Sequence, residues 1–348
     1  MKKISLSMLT LLVAAISTEA KDWKIGPSSV SGMDFASINA AMESAEVNAG
    51  DVLYLDQYYN ESAEQTVSKS VTIIGTGYDT SFTDEKVVAT LTSSLLLKAD
   101  NIVVKSVRLL NVQFFNKECI LDRCYTTGIT VGQVIEGMNH VYSCYIAGGI
   151  NGRTSYKTTT SSGTTTTYVN SSFDIQNNVV TGSSVTYLTS SIINNNVLSC
   201  SSSNISSVNN SQITNNMMYT STTSSSTYNL YSDVYSSGSG NTIEHNISNK
   251  GGYISNYPSN KVNSNILNLF VKTGEYSDYY KLNTELADGN MAIGYATDGG
   301  EVGCHGGLFG CPSGGRPQYI PYFTKVTVGS RTENGKLPVS VSIKIQDE

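Results

Sequence analysis

The chain is short of charge, of proline, of tryptophan and of long apolar runs. Only 14% of its 348 residues are Asp, Glu, Lys or Arg, and their balance leaves a net charge of -6. Nucleic-acid binding needs clustered Lys and Arg, so this composition argues against it. Intrinsic disorder is also disfavoured, because it usually goes with high net charge and few aromatics, whereas 22 Tyr are present here. No apolar run after the first twenty residues approaches the ~18 needed for a transmembrane helix. Ser, Thr and Asn take the place of charge. They fill 53 of the 90 positions from Asn151 to Gly240, where only Arg153, Lys157, Asp174 and Asp233 are charged.

Residues 1–20 have the plan of a secretory signal peptide. Lys2 and Lys3 supply the basic start, residues 4–16 the apolar stretch, and Thr18-Glu19-Ala20 a small-residue cleavage site. Secretion to the periplasm, the cell surface or beyond is therefore expected, in a space that permits disulfides. Six Cys allow 15 pairings, which sequence alone does not resolve. Cys304 and Cys311 lie seven apart in a Gly-rich loop and are the candidates for a local disulfide. His305 beside Cys304 raises a metal site as the alternative, but zinc needs three or four ligands and no others are spaced to join them. No metal site is expected.

One pattern recurs along the chain: a branched aliphatic, two variable residues, then Asn or Cys, usually followed by an apolar pair. Its aliphatic positions are Leu121, Val141, Ile175, Ile193, Ile213, Ile243 and Val262. Its fourth positions are Cys124, Cys144, Asn178, Asn196, Asn216, Asn246 and Asn265, separated by 20, 34, 18, 20, 30 and 19 residues. A period near 20 with short β-rich segments implies a β-solenoid, in which each coil buries its aliphatic face against its neighbours. The aliphatics should form one buried column. The Asn residues should form a structural ladder at a tight turn, since Asn tolerates positive φ and stacked amides can bond one another. Cys124 and Cys144 occupy adjacent rungs, as a disulfide or as stacked free thiols.

The two long gaps mark insertions near residues 152–168 and 220–240, both rich in Ser and Thr. They should overhang one face as loops or hairpins. Residues 21–50 read as an N-terminal cap, with Asp34 as N-cap and Phe35, Ile38, Met42 and Ala45 as a helical stripe. Residues 51–295 form the solenoid. Residues 296–348 read as a Gly-rich closing loop, then a hairpin turning at Asn334-Gly335. The expected fold is thus all-β, a right-handed parallel β-helix with an N-terminal capping helix and a C-terminal β-hairpin.

These stretches resemble the secreted right-handed parallel β-helix proteins of the pectate-lyase-like superfamily, in its Bacteroidetes-type group. The resemblance lies in Asp34-Phe-Ala-Ser-Ile-Asn-Ala-Ala, Ala49-Gly-Asp-Val-Leu-Tyr-Leu and Lys69-Ser-Val-Thr-Ile-Ile-Gly-Thr-Gly-Tyr78. It extends to the tail through Ala292-Ile-Gly and Gly306-Gly-Leu-Phe-Gly. It implies the fold, while the activity stays open, since this superfold hosts lyases, hydrolases, epimerases and non-enzymes. Lyases of the superfamily hold Ca²⁺ with several outward acids, and its pectin hydrolases carry paired Asp with Gly-His-Gly and Arg-x-Lys strings. None of those strings is present. From Tyr125 to Gly240 the acids are Glu136, Asp174 and Asp233 alone, so a carboxylate pair is hard to build in mid-solenoid.

The catalytic candidates are Asp122, Arg123, Glu136 and His140, in two adjacent coils, against a plainer role as surface charge and a turn histidine. Tyr125, Tyr142, Tyr145, Tyr187 and Tyr219 are candidates for stacking against a sugar, against a plainer role as β-prone strand residues. The leading expectation is a non-catalytic binding or adhesive scaffold that contacts a polysaccharide or cell-surface glycan, without a cofactor. The alternative is a polysaccharide lyase or glycoside hydrolase, for which Ca²⁺ would be the implied cofactor.

Overall fold

The computed structural model describes residues 20–79, 87–161, 163–201, 203–220, 230–231, 239–251, 254, 257–269, 289–310, 322–328 and 339–344. Residues 1–19, most of the second insertion, Cys311 and Asn334-Gly335 lie outside the described residues. No described helix is long and apolar enough to cross a membrane.

The molecule is a parallel β-helix. Ten short strands stack in one parallel sheet: Asp22–Ile25, Val52–Leu55, Thr72–Ile74, Val103–Lys105, Ile120–Asp122, Met138–Tyr142, Ser172–Gln176, Ile192–Asn194, Gln212–Thr214 and Thr242–Glu244. A second, larger parallel sheet runs beside it from Asn60–Glu61 to Lys261–Val262. Strands of the second sheet are continuous in Thr90–Leu97, Arg108–Phe114 and Tyr125–Val131. Later they split in two: Tyr145–Asn151 pairs with both Val179–Gly182 and Val185–Thr189. Gly182 makes the break, with a φ of 86° that a side chain would strain.

Period-two alternation sends alternate residues of the first-sheet strands inward. Leu53, Ile73, Val104, Leu121, Val141, Ile175, Ile193, Ile213 and Ile243 are in register and buried. Burial of each such side chain is worth about 1.5–3 kcal/mol, which a single coil could not obtain alone. Val262 is not part of this column. It pairs with Ser248 in the second sheet and is 49% exposed.

A two-residue corner joins the sheets. Its second residue carries the ladder: the backbone N–H of Asn178 donates to Asn196 Oδ1, that of Asn196 to Asn216, that of Asn216 to Asn246, and that of Asn246 to Asn260, each at 2.9 Å. Asn260, fourteen residues after Asn246, takes the last rung. Asn265 is exposed and stands apart, because the strand that stacks on Ile247–Ser248 begins at Lys261. Cys144 and Cys124 continue the ladder as free thiols, with the Cys124 N–H donating to Cys144 Sγ at 3.3 Å. Cys119 and Cys200 are also free and buried, and burial pushes their thiols up to about 11 and about 12. Positive φ does not fall on the ladder residues. It falls one position earlier, at Ser106, Arg123, Ser143, Asn177, Asn195, Asn215 and His245, with φ of 50–58°.

The N-terminal helix, Ile38–Glu43, is capped by Ser37, whose hydroxyl accepts from the Ala40 N–H. Asp34 instead accepts from the Lys24 N–H, tying the chain to the first strand. Ala45 lies beyond the helix and is exposed. The region expected to be only a cap also holds a strand, since Asp22–Ile25 pairs in parallel with Val52–Leu55. The first insertion is an antiparallel hairpin, Arg153–Thr160 with Gly163–Asn170. Of the second, Leu230–Tyr231 pairs with Ile205–Asn209. Tyr322–Val328 and Val339–Lys344 form the C-terminal hairpin.

Candidate functional site

The outward residues of the first sheet bring ionisable side chains from adjacent strands together. Ile120, His140 and Asp174 are in register, and so are Asp122, Tyr142, Gln176 and Asn194. The imidazole of His140 bridges two carboxylates, with Nε2 3.5 Å from Glu118 and Nδ1 3.6 Å from Asp174. Tyr142 donates its hydroxyl proton to Asp174 at 2.6 Å and lies 2.7 Å from His140 Nδ1. With that single proton committed, Nδ1 must be the donor toward the Tyr142 oxygen. Gln176 adds a second bond to Asp174 at 2.7 Å and accepts in turn from Asn194, which accepts from Thr214. The network crosses five coils.

Asp174 is buried, which by itself would raise its pKa. The facing His140 ring and the hydrogen bonds from Tyr142 and Gln176 outweigh that and hold it below the usual value. The nearby Asp174 in turn raises His140, against the effect of its partial burial and with help from Glu118. Burial, together with the bond to Asp174, raises Tyr142 far above the usual phenol range. Asp122 lies in the next strand, 3.2 Å from Arg123 and 3.8 Å from Lys105. Burial still pushes its carboxyl up despite these cations.

Of the candidates read from sequence, Asp122, Arg123 and His140 thus share one face. Glu136 is apart from them, exposed on the turn before Met138–Tyr142. Two acids of the network were not among those candidates. Glu118 lies just outside the acid-poor stretch and supplies the second carboxylate there. Asp174 sits 34 residues beyond His140 in sequence but in the next strand, because the hairpin insertion separates them.

A strap closes over one border of this face. Residues 289–310 run back along the stack, and the left-handed corner residues hold them. Asn215 exchanges two hydrogen bonds with Thr297, Asn195 donates to the carbonyls of Glu301 and Gly303, and Asn177 donates to those of Cys304 and Gly306. The Ser143 hydroxyl reaches the carbonyls of Phe309 and Gly310, and the Phe309 ring stacks on Tyr142 at 3.9 Å. Under the strap, Ala292, Ala296, Val302 and Cys304 bury an outward apolar row of Tyr145, Val179, Val197, Met217 and Ile247. Cys304 is disulfide-bonded, while Cys311 lies outside the described residues.

The tyrosines proposed for sugar stacking are largely engaged by the protein. Tyr145 is buried and stacks on Tyr125, whose ring also carries Arg108. Tyr142 is covered by Phe309, Tyr219 is partly buried against the row under the strap, and Tyr187 holds Arg153 over its ring. The exposed rings are elsewhere, at Tyr54, Tyr58, Tyr156 and Tyr168. The last two belong to the hairpin, where the repeat pattern is interrupted and gives no register to find them.

Among the described residues no three His, Cys, Asp or Glu side chains gather where one ion could be held. The fold and this face define a parallel β-helix bearing a hydrogen-bonded polar strip beside a covered apolar row. No protein-family model, curated protein or solved structure matches the chain, so the functional argument rests on the geometry.

Proposed function

We propose that the protein is a secreted or cell-surface β-helix of the pectate-lyase-like kind that acts without catalysis, as a binding or adhesive scaffold for glycans. One observation carries this reading: the ionisable groups on the polar strip are spent on each other. Asp174 already receives hydrogen bonds from Tyr142 and Gln176 and faces the His140 ring, while Asp122 is matched by two cations. A carboxylate with its pKa lowered in this way is a poor general acid at neutral pH. Neutral Gln, Asn and Thr side chains extend the strip through Gln176, Asn194 and Thr214, and suit hydroxyl-rich ligands.

The second reading, a polysaccharide lyase or glycoside hydrolase, draws on the convergence of Asp122, His140, Tyr142 and Asp174 on adjacent strands. The residues present do not fit the calcium that a lyase would call for. Six to eight oxygen ligands are needed, and the acids here face cations or donors.

The two readings part on incubation of the purified chain with acidic and neutral polysaccharides, with and without Ca²⁺. Retention of the protein on at least one polymer, without new reducing ends or unsaturated uronates, is the expected result. Product formation that disappears in Asp174→Asn or Asp122→Ala would replace the scaffold reading with the enzymatic one.

A further inference from the structure

Arg153 stands at the base of the inserted hairpin. Pairing of Arg153 with Asn170 and of Ser155 with Tyr168 puts the Arg153 side chain and the Tyr168 ring on one face. The guanidinium lies 5.1 Å from the centre of the Tyr168 ring and 3.5 Å from that of Tyr187. Tyr187 reaches that place with a φ of 59°, a left-handed conformation that is costly for a bulky residue.

The rings engage the π face of the guanidinium but accept none of its in-plane N–H bonds. Nε is buried without an acceptor, and among the described residues no carboxylate pairs with Arg153. No Asp or Glu occurs from Asn151 to Phe173, and Lys157 adds a second positive charge. A chain of net charge -6 therefore keeps here a cation that is held in place and has no counter-charge among the described residues. A planar guanidinium fixed in this way matches the paired oxygens of a carboxylate or sulfate. Beside it Tyr168 is 63% exposed, leaving aromatic surface on which a sugar ring can lie.

We propose that the base of the hairpin is a binding site for an anionic sugar residue, whose carboxylate or sulfate takes the Arg153 N–H groups while its ring lies on Tyr168. This rests on the glycan-scaffold reading and narrows its ligand to the acidic class.

The test is affinity electrophoresis of the full chain through gels containing polygalacturonate, dextran sulfate or neutral dextran. Retardation is expected with an anionic polymer and not with dextran. A response to polygalacturonate alone or dextran sulfate alone identifies the anionic group. Affinity should fall at least tenfold in Arg153→Gln and in Tyr168→Ala, and partly in Arg153→Lys, which keeps the charge but not the fork. Tyr168→Ala alters an exposed ring, so it carries the test even if Arg153→Gln fails to fold. Anionic retardation that both Arg153→Lys and Tyr168→Ala leave unchanged would overturn the site. So would equal retardation by dextran, with the scaffold reading intact. No retardation by any of the three polymers overturns the site, and failure across the wider polysaccharide panel removes the scaffold reading as well.

Discussion

Replacing Asn196 with Ala tests the ladder where it is most completely bonded. Asn196 is fully buried. Its Oδ1 accepts from both the backbone N–H and the Nδ2 of Asn178, at 2.9 and 3.0 Å. Its Nδ2 donates to the Ile175 carbonyl and to Asn216 Oδ1, each at 2.9 Å. The substitution removes all four bonds. Asn178 Nδ2 keeps the carbonyls of Val141 and Gln176, and Asn216 Oδ1 keeps the Asn196 N–H, so those groups stay satisfied. The Asn178 N–H loses its acceptor inside the corner. The orphaned buried donor costs about 1–3 kcal/mol and the other three lost bonds about 1 kcal/mol each, so Asn196→Ala should destabilise by about 4–6 kcal/mol. Asn265→Ala, at the exposed position that shares the sequence pattern but not the ladder, should stay within about 0.5 kcal/mol of wild type. Urea unfolding followed by far-UV circular dichroism measures both. A cost below about 1 kcal/mol for Asn196→Ala, or an equal cost at Asn265, would refute the ladder as the source of corner stability.

Two further outcomes follow from the polar strip and the strap. His140, raised by Asp174, contributes stability that is whole below its ordinary 6.5 and is lost as pH rises through the higher folded value; Asp174, lowered by its donors, contributes above 3.8 and loses this as pH falls through its folded value. The stability difference between wild type and His140→Gln should therefore peak between pH 3.8 and 6.5 and shrink on either side, and a difference that stays flat from pH 3 to 9 would count against the His140–Asp174 pairing. Asn195→Gly keeps the left-handed backbone but removes the bonds to Glu301 and Gly303, worth about 2 kcal/mol together, so amide exchange across residues 297–306 should quicken roughly 30-fold with the urea midpoint little changed. Unaltered exchange there would show that the buried apolar row alone holds the strap.

Much of the solenoid was legible from spacing, for a physical reason. Stacked coils repeat the same environment, so Leu121, Val141, Ile175, Ile193, Ile213 and Ile243 recur at matching positions and declare one inward column. The pattern misled where a string matched without its register. Val262-Asn-Ser-Asn265 has the right letters, but the coil before it is short, and Asn260 reaches the ladder first. Positive φ was assigned to the ladder amide, because Asn occupies both corner positions in three consecutive coils and sequence does not separate their duties. The left-handed residue faces outward and the ladder residue inward, a distinction that Arg123-Cys124, Ser143-Cys144 and His245-Asn246 reveal only once both roles are known.

By itself the sequence determined the architecture: a repeat near twenty residues, a branched aliphatic core, neutral polar columns in place of charge, and insertions that leave the stack. A column of like charges one strand apart would repel, so low charge is part of that same determination. The tertiary structure decided the site. Glu118, His140 and Asp174 become neighbours because coils stack across an intervening hairpin, and Phe309 meets Tyr142 because the strap returns along the corners. Ser143 and Phe309 are 166 residues apart in sequence. Periodicity encodes what each coil repeats, and contacts made once, between a strap and a stack, leave no period to read.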